Sequence, residues 1–87
     1  MKKLWHDSAW SDYEWWQSQD KKTLKRINAL IKDIERNGYN CIGKPEMLQG
    51  DLAGKWSVRI DDKHRLVFMI DNGNLVIVTC KGHYDDK

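Results

Sequence analysis

Residues 55–80 read KWSVRIDDKHRLVFMIDNGNLVIVTC, and the two breaks in that stretch decide the fold. Trp56, Val58 and Ile60 alternate with Ser57, Arg59 and Asp61, the period-two pattern of a strand with one buried face. RLVFMI, beyond its arginine, and LVIVTC are apolar on both faces, as strands inside a sheet are. DNGN between them signals a tight hairpin, because Asn72 and Gly73 suit the two positive φ angles of a type I′ turn. The three strands therefore form an antiparallel meander. The other break sets a register. If Asp61, Asp62 and Lys63 make a three-residue loop, Ile60 faces His64 and Arg59 lies directly opposite Arg65.

Upstream of the meander, residues 40–54 (NCIGKPEMLQGDLAG) carry three glycines and the only proline and read as a loop able to hold functional residues. Before that, Leu24, Ile27, Leu30, Ile31 and Ile34 fall within about 120° of arc at 100° per residue, one face of a helix. Asp20 opens this helix and Gly38 closes it. Lys21, Lys25, Lys32 and Arg36 cluster on the opposite side within about 60°. Such a stripe is a solvated face, or a footprint on RNA phosphates if RNA is the partner. An earlier helix is suggested by Ala9, Trp10, Tyr13 and Trp16 at three- to four-residue spacing, with Asp7 and Ser8 as cap types. These rings read as core, and Trp15, off the stripe, as a candidate for surface contact. KKLWH, at 2–6, reads as a first strand. The order strand, helix, helix, loop and three strands predicts an α+β fold, two N-terminal helices packed on one face of a mostly antiparallel sheet, in a single domain over residues 1–87.

Composition narrows the function classes. Hydrophobic residues are 40% and charged residues 32% of the 87, the balance of a chain that folds. A net charge of +2 is too small to argue for nucleic acid by itself. Cys41, placed in the loop as a bystander, and Cys80, placed in the core, give no metal-type pairing and suit free thiols in a reducing compartment. The opening MKKLWHDS lacks the apolar run of a signal peptide, and no segment approaches the ~20 apolar residues of a membrane span. The expectation is a cytoplasmic protein with no membrane partner.

Two arginines directly opposed across a hairpin repel. A site that grips phosphate would want both, because guanidinium groups match phosphate oxygens bidentately. Alternatively each pairs with an acid such as Asp61 or Asp62. The loop adds Glu46 behind Pro45, in GKPEM, and the chain ends in CKGHYDDK, where Gly82 lets the backbone turn and His83 and Tyr84 follow the last strand. Glutamate, arginine pair, histidine and tyrosine make a coherent set for RNA cleavage without a metal. The ribose 2′-OH attacks phosphorus, a carboxylate takes its proton, arginine stabilises the added charge and an imidazolium protonates the leaving 5′ oxygen. No residues here have metal-ligand spacing and no Gly-rich phosphate loop precedes a helix, so no cofactor is expected.

KLWHDSAWSDYEWWQSQDKKTLKRINALIKDI, GKPEML, LAGKWSVRIDDKHRLVF and the terminal CKGHY, in that order, resemble the YoeB-type toxins of the RelE/ParE superfamily. The resemblance implies a microbial-ribonuclease (RelE-like) fold that cleaves mRNA in the ribosomal A site. It implies Glu46 as general base, His83 as general acid and Arg65 in the transition-state role, with Arg59 and Tyr84 supporting and Lys44 beside the phosphate. It also implies a YefM-like antitoxin as partner, a homodimer as a further assembly, and operator DNA reached only through the antitoxin. Lys21, Lys25, Lys32 and Arg36 then become candidates for ribosome contact. Gln49, Gly82 and the Asp85–Lys87 extension depart from the family pattern. The alternative is a non-catalytic binding protein of the same fold, either a gyrase poison like the ParE relatives or a co-repressor with its antitoxin.

Overall fold

The structure is a computed structural model that describes residues 1–82, so His83 and Tyr84 fall outside the described residues. The meander forms as the sequence dictates: β3 (Trp56–Arg59), β4 (Arg65–Asp71) and β5 (Asn74–Thr79) run antiparallel in order. Asn72 at φ 51° and Gly73 at φ 75° make the β4–β5 turn. In the β3–β4 turn the Asp61 carboxylate accepts from the amides of Lys63 and His64 at 2.8 and 2.7 Å.

Two further strands extend the sheet. β1 (Lys3–Trp5) pairs parallel with β5, and β2 (Glu46–Met47) pairs antiparallel with β3, for the order β1-β5-β4-β3-β2. Glu46 thus belongs to an edge strand, where the glycine-rich composition of residues 40–54 suggested loop throughout. The correction is physical: two residues suffice to pair with Ser57 and Trp56, and no periodicity shows in so short a strand.

Helices α1 (Asp7–Gln19) and α2 (Lys21–Asn37) cover one face. α2 begins at Asp20, whose side chain takes the Thr23 hydroxyl at 2.7 Å and the amides of Thr23 and Lys22. Those bonds, the Thr23 hydroxyl first, hold the Asp20 carboxyl below its usual range. Gly38, at φ 59°, ends the helix and donates to the Ile34 carbonyl. Between these caps Ile27, Leu30, Ile31 and Ile34 are buried against Val58, Ile60, Leu66, Phe68, Leu75 and Ile77. Truncating one such leucine to alanine typically costs about 2–5 kcal/mol.

α1 departs from expectation in two places. His6 is its cap residue, while Asp7 and Ser8 lie within the first turn, where Ser8 Oγ donates to the Val78 carbonyl at 2.9 Å. Ala9 and Trp16 are buried, but Trp10 is 46% exposed. At 100° per residue Trp10 lies about 60° beyond Tyr13 on the helical wheel, so it edges the apolar arc. There it packs edge-on to Trp5 and stacks on Tyr13. Cys41 is a second correction, being buried in the core. Among the described residues, no helix is long and apolar enough to cross a membrane.

Candidate active site

Alternation along the strands sends Val58, Ile60, Leu66 and Phe68 toward the helices and Ser57, Arg59, Arg65 and Val67 to the opposite face. On that second face Glu46 stands opposite Ser57, Ser57 opposite Val67, and Arg59 opposite Arg65, the last as the hairpin register predicts. Lys44, Pro45, Glu46, Arg59 and Arg65 line one pocket of about 290 Å³. Four of the residues singled out from the sequence therefore converge.

Gly43 explains how the carboxylate gets there. Its carbonyl accepts from the Arg59 amide at 2.8 Å, and its φ of 91° is left-handed. A Cβ there would meet Leu30 Cδ2 and Val58 Cβ at 3.0 Å, so only glycine lets the chain pass between α2 and β3. Asp33 accepts from the Ile42 amide at 2.7 Å and ties the same segment to α2. Lys44, at φ 54°, and Pro45 then swing Glu46 onto the sheet edge.

The Glu46 carboxylate reaches within 3.8 Å of Arg65 Nη1, with the Arg65 side chain 14% exposed and that of Glu46 56%. This distance is too long for a hydrogen bond. Arg65 Nε is buried and finds no acceptor among the described residues. A guanidinium so enclosed and so thinly satisfied is costly unless an anion completes its bonds. Neither arginine pairs with Asp61 or Asp62 among the described residues; Asp61 is spent on turn amides, and the carboxylate beside Arg65 is Glu46.

The end of β5 is aimed by a bulge: Val67 pairs with Thr79 but Phe68 with Ile77, which leaves Val78 extra. Beyond it, α1 holds Cys80 at both backbone groups, through Trp16 Nε1 to its carbonyl at 2.8 Å and Asp12 Oδ2 from its amide at 3.0 Å. Burial pushes the Cys80 thiol up to about 12 and raises the Cys41 thiol too. Gly82 then accepts from the Arg65 amide and donates to His64 Nδ1, both at 2.9 Å. Sequence reasoning did not reach the parts played by Gly43 and His64, since both depend on neighbours distant along the chain.

Lys21, Lys25, Lys32 and Arg36 are all exposed, on the helical side of the molecule and away from the arginine cleft. Among the described residues none of the four lies in an ion pair with a carboxylate. Trp15 is 40% exposed, with Lys81 Nζ 4.1 Å from the centre of its ring. A wider groove of about 850 Å³ between α1 and α2 is lined by Tyr13, Gln17, Lys21, Lys22, Leu24 and Lys25. Among the described residues its lining holds no carboxylate or imidazole for acid–base work.

Two helices packed on one face of a mostly antiparallel five-stranded sheet give the fold of the small RelE-like toxins. Residues 5–84 match the model of the YoeB-like toxins of bacterial type II toxin–antitoxin systems. Toxin YoeB of Synechocystis sp. is 50% identical over 84 residues, covering 97% of this chain and 98% of the relative. The solved YoeB/ParE toxin from Agrobacterium tumefaciens superposes with a TM-score of 0.93 at 42% identity, over 97% of this chain and 100% of that one. YoeB from Staphylococcus aureus, in a YoeB–YefM complex, does so at 0.89 and 42%, over 97% and 98%. The same organism's YoeB solved as a dimer gives 0.89 and 44%, with the same coverage. The chain belongs to the family of YoeB-like toxins.

Proposed function

We propose that this toxin is a ribosome-dependent endoribonuclease that cuts mRNA in the A site and so halts translation in the cytoplasm. The observation that carries the reading is the Arg65 guanidinium: largely enclosed, with Nε unsatisfied among the described residues, opposite Arg59 and 3.8 Å from the Glu46 carboxylate. A phosphodiester seated there would put phosphoryl oxygens on the two arginines and Lys44, and its ribose beside Glu46.

The steps follow from those positions. Glu46 takes the proton of the 2′-OH, and the 2′ oxygen bonds to phosphorus. Arg65 and Arg59 stabilise the added negative charge on the phosphoryl oxygens. The bond to the 5′ oxygen breaks, and that oxygen takes a proton from His83, with Tyr84 in support. The upstream fragment ends in a 2′,3′-cyclic phosphate and the downstream fragment in a 5′-OH. No metal is needed for any of these transfers.

A YefM-like antitoxin is the proposed regulatory partner, supported by the Staphylococcus aureus YoeB–YefM complex, with operator DNA reached only through it. A homodimer is the second proposed assembly, supported by the dimer of that YoeB. Lys21, Lys25, Lys32 and Arg36 are the proposed rRNA contacts.

The test is a defined message on programmed ribosomes, with fragment ends mapped with and without the purified chain. New ends inside the A-site codon, bearing a cyclic phosphate and absent with Glu46→Gln, are expected. An intact message overturns the reading, and gyrase inhibition or operator binding in its place would establish a non-catalytic member of the fold.

A further inference from the structure

We propose that His64 is a positioning residue for this cleavage, its unprotonated Nδ1 fastening the Gly82 amide and thereby the stretch of chain from which His83 follows. The inference rests on the nuclease reading for its catalytic consequence, but its structural half stands on the hydrogen bonds alone.

A backbone amide has one proton and can only donate, so the 2.9 Å contact from Gly82 N makes Nδ1 the acceptor. Regular pairing of β4 with β5 ends at Val67–Thr79. Past that point a side chain takes over from the ladder, and the Arg65 amide holds the Gly82 carbonyl from the same strand at 2.9 Å. Gly82 is thus held at both backbone groups, at a φ of 97° that residues with a Cβ rarely adopt.

The ring itself is held in place. The His64 carbonyl accepts from the Ile60 and Asp61 amides, and its amide donates to Asp61 Oδ1. Trp16 meets the imidazole edge to face, centroids 4.8 Å apart and planes at 89°, while its indole N–H bonds the Cys80 carbonyl. One tryptophan therefore braces both the histidine and the strand end that the histidine fastens.

Protonation turns Nδ1 from acceptor to donor and sets two N–H groups against each other. Among the described residues, the charged groups on the elements around the ring are Asp61, Asp62 and Lys63 in the turn, Arg65 and Asp71 on β4, Asp7, Asp12 and Glu14 on α1, and Lys81 beyond β5. As His64 takes up a proton, the Gly82 amide loses its acceptor, and Gly82 is left held by the Arg65 amide alone. The general acid needs a proton in the same chain, so the two histidines respond to acid in opposite senses.

The experiment uses the full chain labelled with ¹⁵N, reading the Gly82 amide and the His64 ring against pH, with cleavage kinetics alongside. In the wild type the Gly82 amide shift follows the His64 titration midpoint. His64→Asn places a carbonyl oxygen near the Nδ1 position and does not titrate, so the Gly82 amide stays protected at acid pH and kcat stays within a few-fold of wild type. His64→Ala raises Gly82 amide exchange about tenfold or more and lowers kcat by roughly 10–100-fold with KM nearly unchanged, as expected when a catalytic group is misplaced by about an ångström. A Gly82 amide indifferent to the His64 titration, or equal loss of kcat in the Asn and Ala variants, overturns the proposal. Failure of the wild type to cleave sinks only the nuclease reading, while the Gly82 titration still decides the fastening.

Discussion

Arg59 and Arg65 stand directly opposite each other at the last paired step of β3 and β4. Directly opposed like charges on neighbouring strands are destabilising. On the nuclease reading proposed above, the two guanidinium groups would share one phosphoryl group.

Replacing Arg59 with Gln should therefore separate stability from activity. The variant is expected to unfold at the same denaturant concentration as wild type or a higher one, while cleavage on programmed ribosomes falls about 10–100-fold, the effect of a lost charged contact to the phosphoryl group. Added sulfate should stabilise the wild type more than Arg59→Gln. A clear loss of stability in the variant would show that Arg59 is structural.

Glu46→Gln tests the partner charge. The Glu46–Arg65 pair is long and its carboxylate half-exposed, so little stability rests on it, about 0–1 kcal/mol. If Glu46 is the general base, cleavage should fall about 10²–10⁴-fold with the melting transition almost unmoved. Retained cleavage would assign the proton transfer to another group.

The arginine register, the amphipathic α2 with its Asp20 and Gly38 caps, and the Asn72–Gly73 turn were legible because each depends on neighbours within a few residues or on one strand period. The residues alone placed Arg59 opposite Arg65 and grouped the pair with Glu46, with pairing to Asp61 or Asp62 left open as the alternative, and the separate roles came with the family resemblance. Gly43 is different. Its need for glycine comes from Leu30 and Val58, distant in sequence, and nothing in NCIGKPE announces them. The exposure of Trp10 and the burial of Cys41 were hidden for the same reason. A helical wheel gives direction but not the width of the surface it meets.

Gly43 makes its own prediction. Gly43→Ala combines a left-handed φ with contacts at 3.0 Å to a packed core, and should destabilise by about 1–3 kcal/mol or more. Gly54→Ala is the control, since its φ of 88° is equally left-handed but a Cβ there meets nothing within 4 Å. Equilibrium unfolding should rank Gly43→Ala well below Gly54→Ala. Cleavage should fall further than stability alone explains, because the shifted loop carries Glu46. Equal stabilities would mean that the close approach at Gly43 relaxes without cost.

The basic face of α2 bears on ribosome binding. Lys32→Glu with Arg36→Glu reverses two exposed charges remote from the cleft. Co-sedimentation with ribosomes should weaken severalfold, and more at low salt than at high salt, as contacts to phosphates require. The melting temperature should hardly move, since both side chains are solvated. Unchanged sedimentation would leave the stripe a solvated face.

Cys80 gives a prediction at the alkaline end. Burial pushes its thiol up to about 12, above its value of 9.0 in an open chain, so the folded state keeps a proton that the unfolded state gives up. A group raised in this way contributes its full stability below pH ~9 and loses it as pH climbs toward 12, at about 1.4 kcal/mol per pH unit. Unfolding free energy measured from pH 8 to 11 should therefore decline more steeply in the wild type than in Cys80→Ala. At pH 8 iodoacetamide should leave Cys80 unmodified until denaturant is added, because the thiolate is the nucleophile and the folded chain holds almost none of it. Parallel slopes in the two proteins would mean that Cys80 gives up its proton as readily in the folded chain as in the unfolded one.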